Sequence, residues 1–397
     1  MRISGKFIEG KRNDALGTTE AKSGQRPTDL KLPFKGQPVQ GHSGVKMMKD
    51  GTVWLLTDNG FGNKKNSTDA ALFLRHYRIN WAQGSLTPLD TVFLRDPDKK
   101  VPFRIVNEDT RARYLTGGDF DPESIQFGAD RIWIGEEFGP YLIEADLKGK
   151  VIAVYDTVVD GKTVMSPDNP AISMPGAPDG HTAFQAKRSK GFEDMAMSPD
   201  GSKLYPLLEG PLWNEAAKAY ENNGGKQYLR ILEFDTAARR YTGKSWQYPL
   251  ENNGHAIGDF NMIDDEYGLI IERDNLEGTA AHPCKSSDIS RCFDKPARFK
   301  RVYKIRLNPA NAGGAVEKLG YIDLMAVNDP QKRARKPLVD GKFVFPFFTI
   351  ENVDVVDKQH IIVGNDNNLP FSASREPNKV DDNELILLNV GGFLNNR

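Results

Sequence analysis

The sequence is poor in the features that usually announce a membrane anchor, a nucleic-acid binder or a familiar catalytic motif. It contains no apolar run long enough to cross a bilayer, so no membrane span is expected. No dense block of lysine and arginine occurs, and the net charge is −1. Holding a phosphate backbone needs a concentrated basic surface, so nucleic acid is not an expected partner. Helical amphipathic spacing is scarce; the nearest case, LWNEAAKAYENN over 212–223, predicts a short helix in an insertion. HExxH, P-loop and GxGxxG patterns are absent, and GHSGV lacks the spacing of a nucleophile elbow, which leaves Ser43 as a turn residue.

Cysteine is scarce too. The two present, Cys284 and Cys292 in HPCKSSDISRC, are not spaced as a CxxC redox or zinc motif. Bracketing seven polar residues, they read as a disulfide closing a surface loop, which places the protein in the periplasm or outside the cell. The first residues, MRISGKFIEGKRND, lack the apolar stretch of a signal peptide, so the expectation of export rests on the cysteines.

Glycine (37) and proline (24) are plentiful, and the 397 residues allow one large all-β domain over 1–397. The stretch DPESIQFGADRIWIGEEFGP (121–140) reads as a β-hairpin with acids at both ends. An antiparallel hairpin brings its first and last residues to the same edge, so Glu123 and Glu137 are expected to be neighbours. The pattern recurs in GHSGVKMMKDGTVWLLTDNG (41–60), GFEDMAMSPDGSKLYPLLEG (191–210), GDFNMIDDEYGLIIERDN (258–275) and ENVDVVDKQHIIVGNDNN (351–368). Its starting positions are His42, Glu123, Glu193, Asp259 and Glu351; its closing positions are Asp58, Glu137, Glu209, Asp274 and Asp366, always 14 to 16 residues on.

Further strand-like segments follow each hairpin, such as ALFLRHYRI, PYLIEADL, YLRILEFD, KRVYKIRL and NELILLNV. Four short antiparallel strands, radially repeated about a central channel, define a β-propeller blade. Five hairpins predict five blades; a sixth could lie in 96–118 or 162–190. The fifth unit lacks a fourth strand, and ISGKFIEG (3–10) could supply it and close the ring.

In a propeller the first strand of each blade lines the channel, so these acids converge on one mouth. Carboxylates gathered this closely either hold protons or recruit a cation. Oxygen donors of this kind suit Ca2+, with Glu123, Glu193, Asp259, Glu351, Asn352 and Asp366 as the expected ligands. Glu137, Asp274 or His42 could act as general base, and Arg273 or Arg375 could steady negative charge. His181 precedes another rim segment, and the neighbouring KRSK run reads as a solvated loop able to attract an anion.

The segments DFDPESIQF, RIWIGEEFGPYLIEADLKGKV, GFEDMAMSPDGSKLYPLLEGPL and IIERDN, in this order, resemble the phytase-like family, described by "esterase-like activity of phytase". The early GHSGVKMMKDGTVWLLTDNG and the late IENVDVV and IIVGNDNN fit the same pattern, so the resemblance spans roughly residues 36–390. Where family members carry Glu-Gly-(Leu/Ile)-Ala, this chain reads Glu123-Ser124-Ile125-Gln126, Glu193-Asp194-Met195-Ala196 and Glu351-Asn352-Val353-Asp354: the acids stay and the glycines do not. The resemblance implies a propeller, export, and hydrolysis of a small-molecule phosphate or carboxylic ester. A lactonase on the same scaffold, or a binding propeller with a structural cation, are the competing expectations.

Overall fold

The structure, a computed structural model, describes residues 20–34, 36–172 and 184–395. Five antiparallel sheets stand in a ring as the blades of a propeller. Blade one is built from His42–Met47, Thr52–Thr57, Phe73–Asn80 and Ser85–Phe93; blade two from Pro122–Phe127, Arg131–Glu136, Tyr141–Asp146 and Val151–Asp156. Blade three comprises Phe192–Met197, Lys203–Leu208, Lys226–Asp235 and Arg240–Pro249, and blade four Ala256–Met262, Tyr267–Arg273, Lys300–Arg306 and Glu317–Asp323. Blade five shows three strands among the described residues, Asn352–Val355, His360–Gly364 and Leu385–Asn389. The segment 3–10, expected to complete it, lies outside the described residues, as does His181.

The inner hairpins form where the sequence supplies their turns. In four of the five, an aspartate folds back on the chain: Asp50, Asp200, Asp264 and Asp357 each accept a hydrogen bond from a backbone N–H two residues on. Gly51 and Gly201 follow two of these aspartates with φ of +79° and +74°, a conformation natural to glycine. Apolar residues on the flanking strands then fill the wedges between blades. Leu56, Leu74, Ile125 and Ile134 join blades one and two, and Trp133, Met195, Leu204 and Phe234 join two and three. Tyr205, Trp246, Phe260 and Tyr303 join three and four, and Ile271, Val302, Val353 and Val363 join four and five. Ile362 packs with Val45, Val53 and Tyr77, which brings blade five against blade one. Each such buried side chain contributes about 1.5–3 kcal/mol by leaving water.

The long connections all emerge on one face. Turns between first and second strands, and between third and fourth, are mostly tight and lie on the opposite face. The segments 58–72, 94–121, 209–225, 274–299, 324–351 and 365–384 leave from the face where each first strand begins. That face is the mouth.

Two expectations need correcting. Residues 212–223 form no helix: Trp213–Asn214 pairs with Ala219–Tyr220 as a small hairpin. Asn214 accepts a hydrogen bond from the Ala217 N–H, Lys218 takes a positive φ, and the Trp213 and Tyr220 rings meet edge-on at 5.2 Å. These local contacts outweigh the helical spacing. No sixth blade occurs among the described residues. Segment 96–118 is irregular and pinned by buried Arg113, which pairs with Asp96 at 3.0 Å and Glu108 at 2.6 Å. In 162–190 the described strand is the two-residue Lys162–Thr163.

Candidate active site at the channel mouth

Strand pairing fixes which residues form the ring at the mouth. Counting back from the apolar residues Val45, Ile125, Met195, Phe260 and Val353, which face Leu55, Ile134, Pro206, Ile270 and Val363, the same level holds Ser43, Glu123, Glu193, Gly258 and Glu351. Bulges just ahead of the apolar residue in the first four blades set this level. On the second strands, Asp58, Glu137, Glu209, Arg273 and Asp366 close the ring. Blade one therefore presents Ser43 rather than His42, and blade four presents Gly258 and Arg273 rather than Asp259 and Asp274. Gly258 has no room for more: a Cβ there would stand 1.9 Å from the Ile350 carbonyl oxygen of the next blade.

The carboxylates at this level are close enough to share an ion. Oxygens of Glu123, Glu193 and Glu351 lie within 4.8 Å of one another, as do those of Asp121, Glu123 and Glu137, and those of Glu137, Glu193 and Glu209. Glu137 Oε1 and Glu193 Oε1 are buried without a hydrogen-bond partner. Burial first, and the neighbouring carboxylates second, push Glu123, Glu137 and Glu193 well above the ordinary carboxylate range. Asp58 and Asp366 are raised by burial and by each other or by Glu351, and burial lifts Asp121 to about 6.

Two cations oppose this charge. Arg273 Nη2 donates to Glu351 Oε1 at 3.0 Å, with both side chains buried. Lys190 pairs with Glu209; burial works against its ammonium, but Glu209 and Glu137 outweigh that and raise its pKa. Ser43 Oγ donates to the other oxygen of Glu351 at 3.0 Å, and the Gly44 N–H donates to the Glu351 carbonyl. Glu351 is thus held on both oxygens, whereas Glu137 and Glu193 each keep one free. Ser43 lies in the bulged inner strand, not in a turn.

The other expected site residues are engaged with partners of their own. Asp259 accepts from the Val353 N–H at 2.8 Å and from the Phe260 N–H at 2.8 Å, and belongs to none of the three clustered groups. Asn352 donates to the His42 carbonyl, leaving its buried Oδ1 unpartnered. Asp366 accepts from the Asn368 N–H at 2.9 Å and flanks Asp58 outside the clustered groups. Asp274 accepts from the N–H groups of Arg298 and Phe299 and pairs with fully buried Lys300 at 3.0 Å, which anchors a loop. His42 turns into its blade, 3.4 Å from the Tyr77 hydroxyl, and burial lowers its pKa to about 4. Arg375 is locked by Glu384 at 2.7 Å and the Val344 carbonyl, against Phe347. Asp121, Glu209, Ser43 and Lys190 complete the mouth; Glu209 was expected there as a closing acid, and none of the four was expected as a ligand or catalytic group. In the KRSK run, Arg188 pairs with Asp168 and Lys190 with Glu209.

Deeper in the channel, blades meet across the axis. Lys46 of blade one and Gln126 of blade two both donate to Asn261 Oδ1 of blade four, each at 2.8 Å, and Lys46 stands 3.4 Å from Asp354. These bonds give the acidic mouth a hydrogen-bonded floor.

A five-bladed propeller with a carboxylate-lined mouth is the class that fold and site define. Within it, the chain belongs to the phytase-like family, described as "esterase-like activity of phytase", whose pattern matches residues 37–369. It is 29% identical over 126 residues to an "Uncharacterized secreted protein" of Arthroderma benhamiae, a match covering 29% of this chain and 24% of that protein. Among solved structures it is similar to a periplasmic gluconolactonase of Pseudomonas aeruginosa, with 12% identity, TM-score 0.33, and 91% and 92% of the two chains covered. A putative 6-phosphogluconolactonase of Bacteroides fragilis matches with 14% identity, TM-score 0.32 and 91% of each chain. The clustered carboxylates of the mouth could hold a metal ion, and no helix of the described residues is long and apolar enough to cross a membrane. Cys284 and Cys292 form the expected disulfide.

Proposed function

We infer that the protein is a metal-dependent ester hydrolase acting on a small phosphate ester at the channel mouth. The observation that carries this reading is the convergence of Glu123, Glu137, Glu193 and Glu351, with Glu137 Oε1 and Glu193 Oε1 buried and unpartnered. Buried carboxylate oxygens without a donor are costly unless a proton or a cation meets them. The donor set is all oxygen, which suits Ca2+. Glu123, Glu193 and Glu351 are the ligands proposed from the original set; Asp259, Asn352 and Asp366 stand beside them in backbone-supporting roles.

A divalent cation held by Glu123, Glu193 and Glu351 would supply Lewis acidity to an ester oxygen and to water. The protein's own groups do the rest. Glu137, in its ionised form and with a free oxygen, would take the proton from the attacking water and return it to the leaving oxygen as the ester bond breaks. Arg273 holds Glu351 in place and favours its charge against burial, which raises its pKa, and carries positive charge toward the group on which negative charge develops.

Family membership supports an ester as the substrate class. The disulfide, and a relative whose name is "Uncharacterized secreted protein", support a periplasmic or secreted location. A second reading, a binding propeller with a structural cation, is favoured by the depth of the ligands: Glu193 and Glu351 are each 5% exposed. The two separate by experiment. Protein purified without chelator is assayed for metal, then for hydrolysis of p-nitrophenyl phosphate, a phosphodiester and a carboxylic ester with and without Ca2+. Cation-dependent turnover supports the hydrolase; folded, metal-loaded protein inert to all three supports the binder.

A further inference from the structure

The chain has 21 phenylalanines, and among the described residues two of them, Phe348 and Phe371, stand out as exposed, each at 37%. A single exposed aromatic is ordinary. Their shared location is what calls for an explanation. Phe348 lies three residues before Glu351, and Phe371 five after Asp366, so topology puts both on the mouth face. The Phe348 N–H donates to Ser374 Oγ at 3.2 Å, which ties the two loops together.

Phe348 also touches the site chemically. The Arg273 guanidinium carbon stands 5.8 Å from the Phe348 ring centroid, while Arg273 Nη2 bonds Glu351. The ring is thus one side chain removed from the clustered carboxylates, on the outward side. The opposite part of the mouth is different in kind. There Lys190 pairs with Glu209, Arg188 with Asp168, and the Lys64 ammonium lies over Phe138 while donating to the Asp168 carbonyl. Aromatic rings stand there too, but they are covered, Phe138 by Lys64 and Tyr220 by Lys187, whereas Phe348 on the side of blades four and five is exposed.

We propose that Phe348 is the specificity wall of the site, and that the substrate is an ester carrying an aromatic or comparably flat apolar group. This rests on the ester-hydrolase reading and deepens it. The ester group meets the carboxylates and Arg273, and the apolar group lies against Phe348, where an aromatic pair gains beyond simple burial. A polyol bearing several phosphates has no apolar face to place there, and its charge would meet an acidic mouth. The family description leaves this choice open; the wall decides it for aryl esters.

The test is isothermal titration of Ca2+-loaded protein with phenylphosphonate and with methylphosphonate, two non-hydrolysable probes that differ only in the group meant for the wall. Wild type is expected to prefer the phenyl probe about tenfold. In Phe348→Ala the preference falls toward one, whereas in Phe371→Ala and in Phe348→Tyr it is kept. Thermal midpoints of the variants, expected near wild type because both rings are exposed, confirm that the loss is not unfolding. A wild-type ratio near one, or a ratio that survives in Phe348→Ala, overturns the wall and leaves the ester reading intact. Failure of both probes to bind wild type removes the anionic-ester reading and the wall with it.

Discussion

Arg273 Nη2 and Glu351 Oε1 stand 3.0 Å apart across the junction of blades four and five, in a ring otherwise made of acids, Ser43 and Gly258. Both side chains are nearly inaccessible, at 5% and 6% exposure, so each depends on the other for its charge. Removing one partner of such a pair strands the other in the interior, which costs about 3–5 kcal/mol. Arg273→Leu is therefore expected to lower unfolding stability by about that amount at neutral pH. Arg273→Leu combined with Glu351→Leu is expected to recover much of it, since no charge is left unpaired. Urea denaturation of the two variants reads the difference, and equal stability of single and double variants would count against the pair.

The raised carboxylates of the mouth set a direction for pH. Glu123, Glu137 and Glu193 keep protons in the fold at pH values where the unfolded chain has lost them. The native state then binds more protons than the unfolded state, so stability falls as pH rises from the ordinary carboxylate range upward. His42 runs the other way, because its folded pKa of about 4 makes stability rise with pH up to the ordinary imidazole range near 6.5. Above that window Glu136, raised by burial to about 8, adds to these carboxylates, and buried Lys300, lowered to about 7, opposes them. Chelator-treated protein is expected to lose melting temperature between about pH 6.5 and 8, and saturating Ca2+ to restore it, by about 2.7 kcal/mol at a hundredfold excess over Kd. A flat profile unaffected by Ca2+ would remove the cation from the mouth.

Free and engaged carboxylates should answer differently to neutralisation. Glu137→Gln and Glu193→Gln remove groups with an unpartnered buried oxygen, so cation affinity and ester turnover are expected to fall, turnover by about 10^2–10^4, with the fold retained. Asp259→Asn removes a group that already accepts two backbone N–H bonds. Its expected effect is a stability loss of about 1–3 kcal/mol with cation binding kept. Metal titration alongside thermal unfolding separates the two behaviours.

The five hairpins were legible because their signals are local. Asp50-Gly51 and Asp200-Gly201 fix turns by hydrogen bonds within two residues, and the strands beside them alternate in short apolar runs. The level of the mouth was less legible, because bulges shift register by one residue without leaving a compositional mark. Counting acids selects Asp259 and Asp274 in blade four, whereas strand pairing selects Gly258 and Arg273. It selects His42 in blade one, whereas pairing presents Ser43, whose hydroxyl reaches Glu351. The conflict between Gly258 and the Ile350 carbonyl is a contact 92 residues away in the chain, and no window of the sequence contains it. Lys190 could have been found from the KRSK run, had its distance from Glu209 been known.

The disulfide offers a prediction away from the mouth. Cys284 and Cys292 close a loop of sequence separation 8, for which chain-entropy reasoning gives about 2–3 kcal/mol. That loop is also a mooring. Buried Phe293 next to it lies 4.9 Å under the Arg26 guanidinium, and Asn378 Nδ2 bridges the carbonyls of Ser290 and Pro27 at 2.8 and 2.9 Å. Arg26 and Pro27 belong to Arg26–Lys31, which pairs with Glu20–Ser23 as a hairpin beyond the blades. Double replacement by serine is therefore expected to act locally: amide exchange in 20–31 and 276–298 speeds up, while the inner strands keep their protection. Hydrogen-exchange mass spectrometry resolves the two regions. Unchanged protection of the hairpin would mean that it is held by contacts independent of the loop, such as Ser23 Oγ with Glu277 at 2.8 Å.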